Sequence, residues 1–221
     1  MAFLRGLKRN NRREWFQPRK HIFDEAVRAP MLDLVDAVQH EMAGFAPAYI
    51  GDPRKVVYRI YRDTRFSGDK TPYKTQIAAS FPRQGMEKHG GAGYYFSISP
   101  EEVAVGGGIY MPLPQTLLSI RRHVGENHAA FHRICGEKRL RTLMGDMQGE
   151  QLTRVPTGFP ASHPAADLLR FKQFLFYIEL DGSLATSPRV LPELVKRFRL
   201  ITPFIEFLNM PLGMRTTAQG K

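Results

Sequence analysis

A β-hairpin is predicted by the stretch YYFSISPEEVAV, residues 94–105. Its two arms are rich in aromatic and β-branched side chains, and Pro100-Glu101-Glu102 separates them. This pattern is typical of two antiparallel strands joined by a short turn. Further strands are predicted from β-branched and aromatic runs at residues 56–61, 77–81 and 171–180.

Helices are predicted before and after these strands, because apolar residues recur there with a period near 3.6. They cover residues 3–7, 12–28, 30–44, 114–124, 126–135, 138–144 and 192–209. Pro18 falls inside the second helix, and Pro30 begins the third. With strands in the middle of the chain and helices at both ends, the sequence predicts an α+β fold. We expect a central, mainly antiparallel sheet with helices from both chain ends packed on it.

Length and composition favour one folded domain. The chain has 221 residues, of which 43% are hydrophobic and 24% are charged, enough for a substantial core. Residues 1–212 are predicted to form a single globular domain, and residues 213–221 a flexible polar tail. No apolar run reaches the ~18 residues of a membrane span, and the single Cys135 excludes a disulfide framework. We therefore expect a soluble, cytoplasmic protein that has no membrane partner, and the sequence leaves its oligomeric state open.

The charge balance favours anionic partners. Lys and Arg number 32 against 21 Asp and Glu, a formal net charge of +11. A field of that sign attracts polyanions and small anionic ligands. Basic residues concentrate in segments 5–28, 54–74 and 121–141. Nucleic acid is therefore one alternative partner, although the chain contains no recognised RNA- or DNA-binding motif.

The most informative stretch is RIYRDTRFSGDKTPYK, residues 59–74, which contains five cations and two carboxylates. If its first residues form a strand, Arg59 and Arg62 point to opposite faces, so one of them faces a covered side. A buried guanidinium requires a carboxylate or a ligand anion beside it. Asp63 or Asp69 is the expected carboxylate partner, which predicts a structural ion-pair network that pins a loop.

The same stretch also fits an anion site for a phosphate- or carboxylate-bearing small molecule. Two arginines can grip an oxyanion in a bidentate way, a lysine adds a point charge, and hydroxyls donate hydrogen bonds. Gly68 would let the backbone approach a ligand, and Tyr61 or Tyr73 would either stack on a ring or pack. The candidate ligand-binding residues are Arg59, Arg62, Asp63, Arg65, Ser67, Asp69, Lys70, Tyr73 and Lys74. A third possibility is a scaffolding or partner-binding domain, in which the ion-pair network is purely structural.

Residues 62–74 resemble the hallmark of a protein family named domain of unknown function 2461. The resemblance also includes positions before and after this run: Phe3-Leu4, Leu7, Asn10-Asn11, Trp15-Phe16, Lys20, Gly106-Gly107-Gly108, Pro112, Leu117, Ile120-Arg121, Pro156, Gly158 and His163-Pro164. It implies a single-domain soluble protein, and the family carries no established reaction, cofactor or partner. If the N-terminal helix lies beside the arginine motif, the resemblance suggests that Asn10, Asn11 and Lys20 complete the same site; the alternative is that the two asparagines cap a helix.

Other groups give weaker signals. His163, in a proline-rich loop, is a candidate to line a site, or the prolines simply set a turn there. His128 and His132 have helical spacing but lack the glutamate of a zinc-protease helix, so we predict solvated histidines and no metal site. Residues 88–93 predict a mobile loop or a flap. Residues 106–108 predict a bulge or a close backbone approach, with the arginine motif as one candidate neighbour. The sequence identifies no catalytic residue and no cofactor, and it leaves open whether the protein is an enzyme.

Overall fold

The computed structural model describes residues 1–65, 68–86 and 90–213. It contains a four-stranded antiparallel sheet in the order β1-β2-β3-β4. The strands are β1 (Ile77–Pro82), β2 (Gly93–Ile98), β3 (Glu102–Ile109) and β4 (Phe174–Asp181). Helices precede and follow the strands along the chain, which confirms the predicted α+β class. Residues 214–221 of the predicted tail lie outside the described residues. Lys88 and His89 of the predicted loop also lie outside them.

The helices match most of the predicted positions. They are α1 (Ala2–Arg9), α2 (Arg13–Phe16), α3 (Lys20–Phe23), α4 (Ala29–Met42), α5 (Pro53–Val56), α6 (Pro114–Glu126), α7 (His128–Cys135), α8 (Lys138–Met144), α9 (Ala166–Leu169) and α10 (Val190–Asn209). Short 3₁₀ segments cover Gln17–Arg19, Pro47–Tyr49 and Gly182–Thr186. None of the described helices is both long and apolar enough to cross a membrane.

The chain does not break at Pro30, where two separate helices were expected to meet. A π-helical segment, Asp24–Arg28, connects α3 directly to α4. Its wider turn is closed by the N–H of Ala29, which donates to the carbonyl of Asp24. Proline cannot donate a backbone hydrogen bond, and its ring crowds the carbonyl one turn before it. One widened turn just before Pro30 therefore keeps the helical path continuous.

The hairpin of β2 and β3 confirms the first prediction. Ser99 organises its turn, because its Oγ accepts the N–H groups of Glu101 (3.2 Å) and Glu102 (3.0 Å). The Ser99 N–H in turn donates to the Glu102 carbonyl at 2.9 Å. A serine at this position satisfies backbone donors that a tight turn leaves without partners.

The prediction of a regular strand over residues 56–61 is wrong, because only isolated β-bridges form there. Pro53 instead begins α5, and the Asp52 carboxylate caps it by accepting the Arg54 N–H at 2.9 Å. Proline at the first helical position after a capping aspartate favours a helical turn over a strand. Pairing starts only afterwards, at isolated antiparallel bridges from Val57 to Ala79 and from Tyr61 to Tyr73.

The chain divides into two compact units. The first comprises Met1–Phe81, Tyr95–Val105 and Glu179–Lys196, and the second comprises Pro82–Tyr94, Gly106–Ile178 and Arg197–Lys221. Their boundary falls inside β2, β3, β4 and α10. Whether residues 1–212 behave as a single domain stays a prediction.

Each unit has an aromatic core of its own. In the first unit, Phe16 is fully buried, with its ring centroid 5.6 Å from that of Phe23 and 6.0 Å from that of Phe3. In the second unit, the Phe131 ring centroid lies 4.9 Å from that of Phe207 and 5.8 Å from that of Phe204.

The glycines at 106–108 lie where backbone and side chains approach β3 closely. A Cβ at Gly106 or Gly108 would collide with a carbonyl oxygen of β4, and a Cβ at Gly107 would lie 2.6 Å from the Ile201 Cδ1 of α10. The predicted close approach is confirmed. Its nearest neighbours are β4 and α10, and the approach to the arginine motif stays a prediction.

Candidate functional site

The arginine motif forms a small hairpin in the first unit, here named the motif hairpin (residues 60–74). Tyr61 and Tyr73 form an antiparallel bridge at its base. The Arg62 N–H donates to the Pro72 carbonyl at 2.9 Å, and the Lys74 N–H donates to the Ile60 carbonyl at 2.8 Å. The described residues between these pairs, 63–65 and 68–71, carry the two acids of the motif. Ser67, a predicted ligand residue, lies outside the described residues.

Aromatic packing anchors this base. Tyr73 is 1% exposed and stacks on Phe16, with ring centroids 4.1 Å apart. Tyr61 covers the pair from the solvent side, 5.5 Å from the Tyr73 centroid, and remains 48% exposed. Burial raises the pKa of Tyr73. The structure therefore places Tyr73 in the core rather than on a ligand surface, because its ring is enclosed by Phe16 and Tyr61.

Asn11 holds the same base through its side-chain amide. Its Nδ2 donates to the Tyr73 carbonyl at 2.8 Å, and its Oδ1 accepts the Tyr73 N–H at 3.1 Å. We call this two-way bond an asparagine clamp. Asn11 thus reaches the motif hairpin as expected, as a positioning residue on the backbone. Lys20 instead pairs with Asp24 at 2.5 Å, four residues along its own helical segment.

Two ion pairs organise the loop. Arg62 Nη1 binds Asp69 Oδ2, and the other oxygen of Asp69 accepts the N–H (2.9 Å) and the hydroxyl (2.8 Å) of Thr71. Arg65 binds Asp63 in a bidentate way, through Nε at 3.0 Å and Nη2 at 2.8 Å. The Arg62 side chain is 29% exposed, so Arg62 is the arginine on the partly covered side and Asp69 is its predicted carboxylate partner.

These bonds set the charge state of the two acids. The hydrogen bonds from Arg65 lower the pKa of Asp63 to about 2. The hydrogen bonds from Thr71 and then the charge of Arg62 lower the pKa of Asp69. Both carboxylates are therefore ionised at neutral pH, and each neutralises one arginine.

Among the described residues, Arg59 and Lys70 have no carboxylate partner. Lys70 Nζ donates to the Thr64 carbonyl at 3.0 Å, and Lys74 Nζ lies 5.0 Å from the Tyr58 ring centroid. Arg59 is exposed, and its side chain has no partner among the described residues. A Cβ at Gly68 would meet no described atom within 4 Å, so the structure gives no close approach there.

His163 belongs to the second unit and is not a component of the motif hairpin. Its Nδ1 accepts the N–H of Ala165 at 3.0 Å, and its ring centroid lies 6.1 Å from that of His128. In the described part of the chain, no group of three or more potential metal-ligating side chains comes together.

Sequence reasoning missed one charged residue that the structure singles out, Arg121 on α6. It is 9% exposed and sits among the buried residues of its helix. The signal was present in the sequence, because Arg121 follows Ile120 and precedes Val124 on the apolar face of an amphipathic helix.

A family model described as "Conserved hypothetical protein (DUF2461)" matches residues 1–207. The chain belongs to this family. Membership in DUF2461 covers both units and the whole motif hairpin, and it confirms the resemblance carried by residues 62–74. No curated protein and no solved structure matches the chain.

Proposed function

We propose that the motif hairpin binds a small anionic ligand through a phosphate or carboxylate group. The observation that carries the proposal is the one-sided engagement of Arg62. Only its Nη1 contacts Asp69, and its Nε and Nη2 have no partner within the described residues. A guanidinium offers five N–H donors in a planar fork that suits an oxyanion.

Contacts among the described residues hold the backbone beside Arg62 at the base of the motif hairpin. The asparagine clamp, the Tyr61–Tyr73 bridge and the Arg65–Asp63 pair hold its backbone from three directions. A preorganised loop loses little conformational entropy on binding, so more of the interaction energy appears as affinity.

The remaining charge of the motif supports the same ligand class. Residues 59–74 contain five cations and two carboxylates, which gives this segment a local charge of +3. Acids and hydroxyls among the cations suit one enclosed anion better than a surface that tracks a polyanion.

Isothermal titration with inorganic phosphate, and separately with citrate, tests the proposal. We expect Arg62→Gln to weaken the binding of whichever anion binds more tightly by about tenfold or more, because one charge-assisted hydrogen bond is lost. Arg54→Gln is the matched control, because Arg54 is exposed on α5 and its substitution removes the same charge from the protein. Equal weakening in both variants would mean that net charge, and not a site, binds the anion.

Asp69→Asn separates the anion site from a structural ion-pair network. The asparagine keeps the Oδ1 that accepts from Thr71 but removes the charge that competes for Arg62. The anion site predicts tighter phosphate or citrate binding in this variant. Lower stability with no binding in any variant would support the structural network instead.

Native mass spectrometry of the freshly purified protein complements the titration. A bound phosphate- or carboxylate-bearing metabolite that is lost in Arg62→Gln supports the proposal. Nucleic acid that is stripped by high salt would favour a nucleic-acid-binding module, because such binding falls steeply as salt displaces the protein from the backbone phosphates.

A further inference from the structure

Arg121 is a buried cation in the second unit. It sits on α6 beside Ile120 and one turn before Val124 and Gly125. Its residue is 9% exposed, and those three neighbours are buried too. A guanidinium stays protonated in proteins, so this position holds a full positive charge in a poorly hydrated place.

The described residues leave this charge uncompensated. Arg121 Nη2 donates to the Phe171 carbonyl at 2.9 Å, while its Nε is buried without a partner. No carboxylate pairs with Arg121 anywhere in residues 1–65, 68–86 and 90–213. Burial alone lowers the pKa of its guanidinium, with no opposing acid nearby. A carbonyl dipole offsets only part of the cost of burying a charge.

His163 lies on the same face of α6, one turn further along. A Cβ on Gly125 would lie 3.5 Å from its Cε1 and 3.6 Å from its Nε2, which is van der Waals contact, so the imidazole packs against the helix at Gly125. Residues i and i+4 share a helix face, which places the imidazole one turn from Arg121. The Phe171 carbonyl and His163 thus approach α6 from the same segment of chain, residues 156–171.

The hydrogen bonds of His163 decide which of its nitrogens donates. Its Nδ1 accepts the N–H of Ala165 at 3.0 Å, so the proton of the neutral ring is on Nε2. Two backbone bonds fix the turn at His163, since its N–H donates to the Pro160 carbonyl at 3.0 Å and its carbonyl accepts the Ala166 N–H at 2.9 Å, and the bond from Ala165 orients the ring. The Nε2–H is therefore a positioned donor.

Further donors lie in the same region. Arg170, the residue before Phe171, also has a buried Nε without a partner. Nδ1 of His128 lies 3.1 Å from the Gly125 carbonyl and must donate to it. Buried donors without acceptors are rare in folded proteins and call for an explanation by a missing partner.

We propose that Arg121 and His163 form a second oxyanion site, between α6 and residues 156–171, that takes a phosphate or carboxylate group of a small ligand. Arg121 supplies the charge, and His163 supplies an Nε2–H donor. This site does not depend on the motif hairpin, since all of its residues belong to the second unit.

The test uses the Arg62→Gln protein, in which the motif hairpin is disabled, and titrates it with inorganic phosphate and then with citrate. We expect one anion site to remain. Adding Arg121→Met removes the buried charge at similar length and should weaken this binding by about tenfold or more. Arg122→Met is the matched control, because Arg122 is the exposed neighbour on the same helix, and it should leave the affinity unchanged.

His163→Asn tests the second donor separately. An asparagine Oδ1 can replace Nδ1 as the acceptor for Ala165, but the Nε2–H is lost, so the turn should survive while the affinity falls several-fold. Where Arg121→Met does not fold, Arg121→Lys keeps the charge without the planar fork and should show an intermediate loss.

The outcomes separate the two sites. The proposal would be overturned if the Arg121→Met and Arg122→Met proteins bound each anion, phosphate or citrate, with the same affinity. It would also be overturned if the Arg62→Gln protein bound neither anion at millimolar concentration. The motif hairpin is judged by the difference between wild type and Arg62→Gln, so either site can fail alone. A response to phosphate only identifies a phosphate group as the ligand, and a response to citrate only identifies a carboxylate.

Discussion

The motif hairpin and the Arg121 region show two opposite ways to place arginine. In the motif hairpin, Arg62 and Arg65 are 29% and 76% exposed, and each has a carboxylate from the same short run of sequence. In the second unit, Arg121 is 9% exposed, and its side chain donates a hydrogen bond only to a backbone carbonyl. The dense charged motif thus supplies most of its own compensation, whereas the isolated arginine of an apolar helix face does not.

This difference concerns free energy as much as geometry. Exposed ion pairs are screened by water and salt and contribute about 0–1 kcal/mol each. A buried charge loses its hydration, so its missing partner matters far more. The motif hairpin should therefore owe its order to its aromatic base and its asparagine clamp, and the Arg121 region should be the more sensitive to an added anion.

Phe16→Ala gives the largest expected effect and tests what holds the motif hairpin. Phe16 is fully buried and stacks on Tyr73, so the truncation should cost about 3–5 kcal/mol of unfolding free energy in a urea titration. Tyr61→Ala is the control, with a smaller loss because Tyr61 is 48% exposed. The aromatic anchor would be rejected if Arg62→Gln proved more destabilising than Phe16→Ala.

The asparagine clamps of the two units give the next effect. Asn209 is 1% exposed, accepts the Ala92 N–H at 2.8 Å and donates to the Ala92 carbonyl at 2.9 Å. Asn209→Ala leaves both groups buried without this partner and should cost about 2–3 kcal/mol. Asn11→Ala should cost about 1–2 kcal/mol, since its bonds are only partly buried. The same urea titration compares them, and the reverse order would contradict this assignment of burial.

Arg121→Met in chloride buffer, without phosphate or a carboxylate, gives a smaller effect that tests the missing counter-ion. Only the Phe171 carbonyl loses a donor, so the loss of unfolding free energy should not exceed about 2 kcal/mol. Breaking a buried ion pair would instead cost about 3–5 kcal/mol, and a loss of that size would show that Arg121 already has an acidic partner. Thermal unfolding of wild type and Arg121→Met in chloride buffer measures this loss, and the same comparison in phosphate buffer shows how much a bound anion changes it.

The smallest effect is the acid titration of Asp63. Arg65 lowers the pKa of Asp63 to about 2, below the ~3.9 of an unfolded aspartate, so this group stabilises the fold above about pH 4. That contribution is lost as the pH falls through about 2. Carboxyl NMR should follow the titration, and Arg65→Gln should return the pKa to its ordinary range. An ordinary pKa for Asp63 in the wild type would contradict the bidentate pair with Arg65.

Local patterns predicted much of the fold and part of the motif hairpin. The aromatic and β-branched arms of residues 94–105 predicted β2 and β3, and helical periodicity predicted α6, α7 and α8 within two residues at their ends. The Arg62–Asp69 pair was also predictable, because both partners lie in one short run. The strand at 56–61 and the break at Pro30 were predicted wrongly, since a capped proline turn and a π segment each overrode the local pattern.

By itself the sequence determined the α+β class, the family and the concentration of charge in residues 59–74, all of which depend on neighbours along the chain. The tertiary structure alone decided that Tyr73 is core, that Asn11 clamps it from 62 residues away, and that Arg121 is buried against a carbonyl 50 residues away. Burial and charge compensation depend on which distant segments pack together. An arginine on an apolar helix face therefore becomes an uncompensated charge only once residues 156–171 cover it.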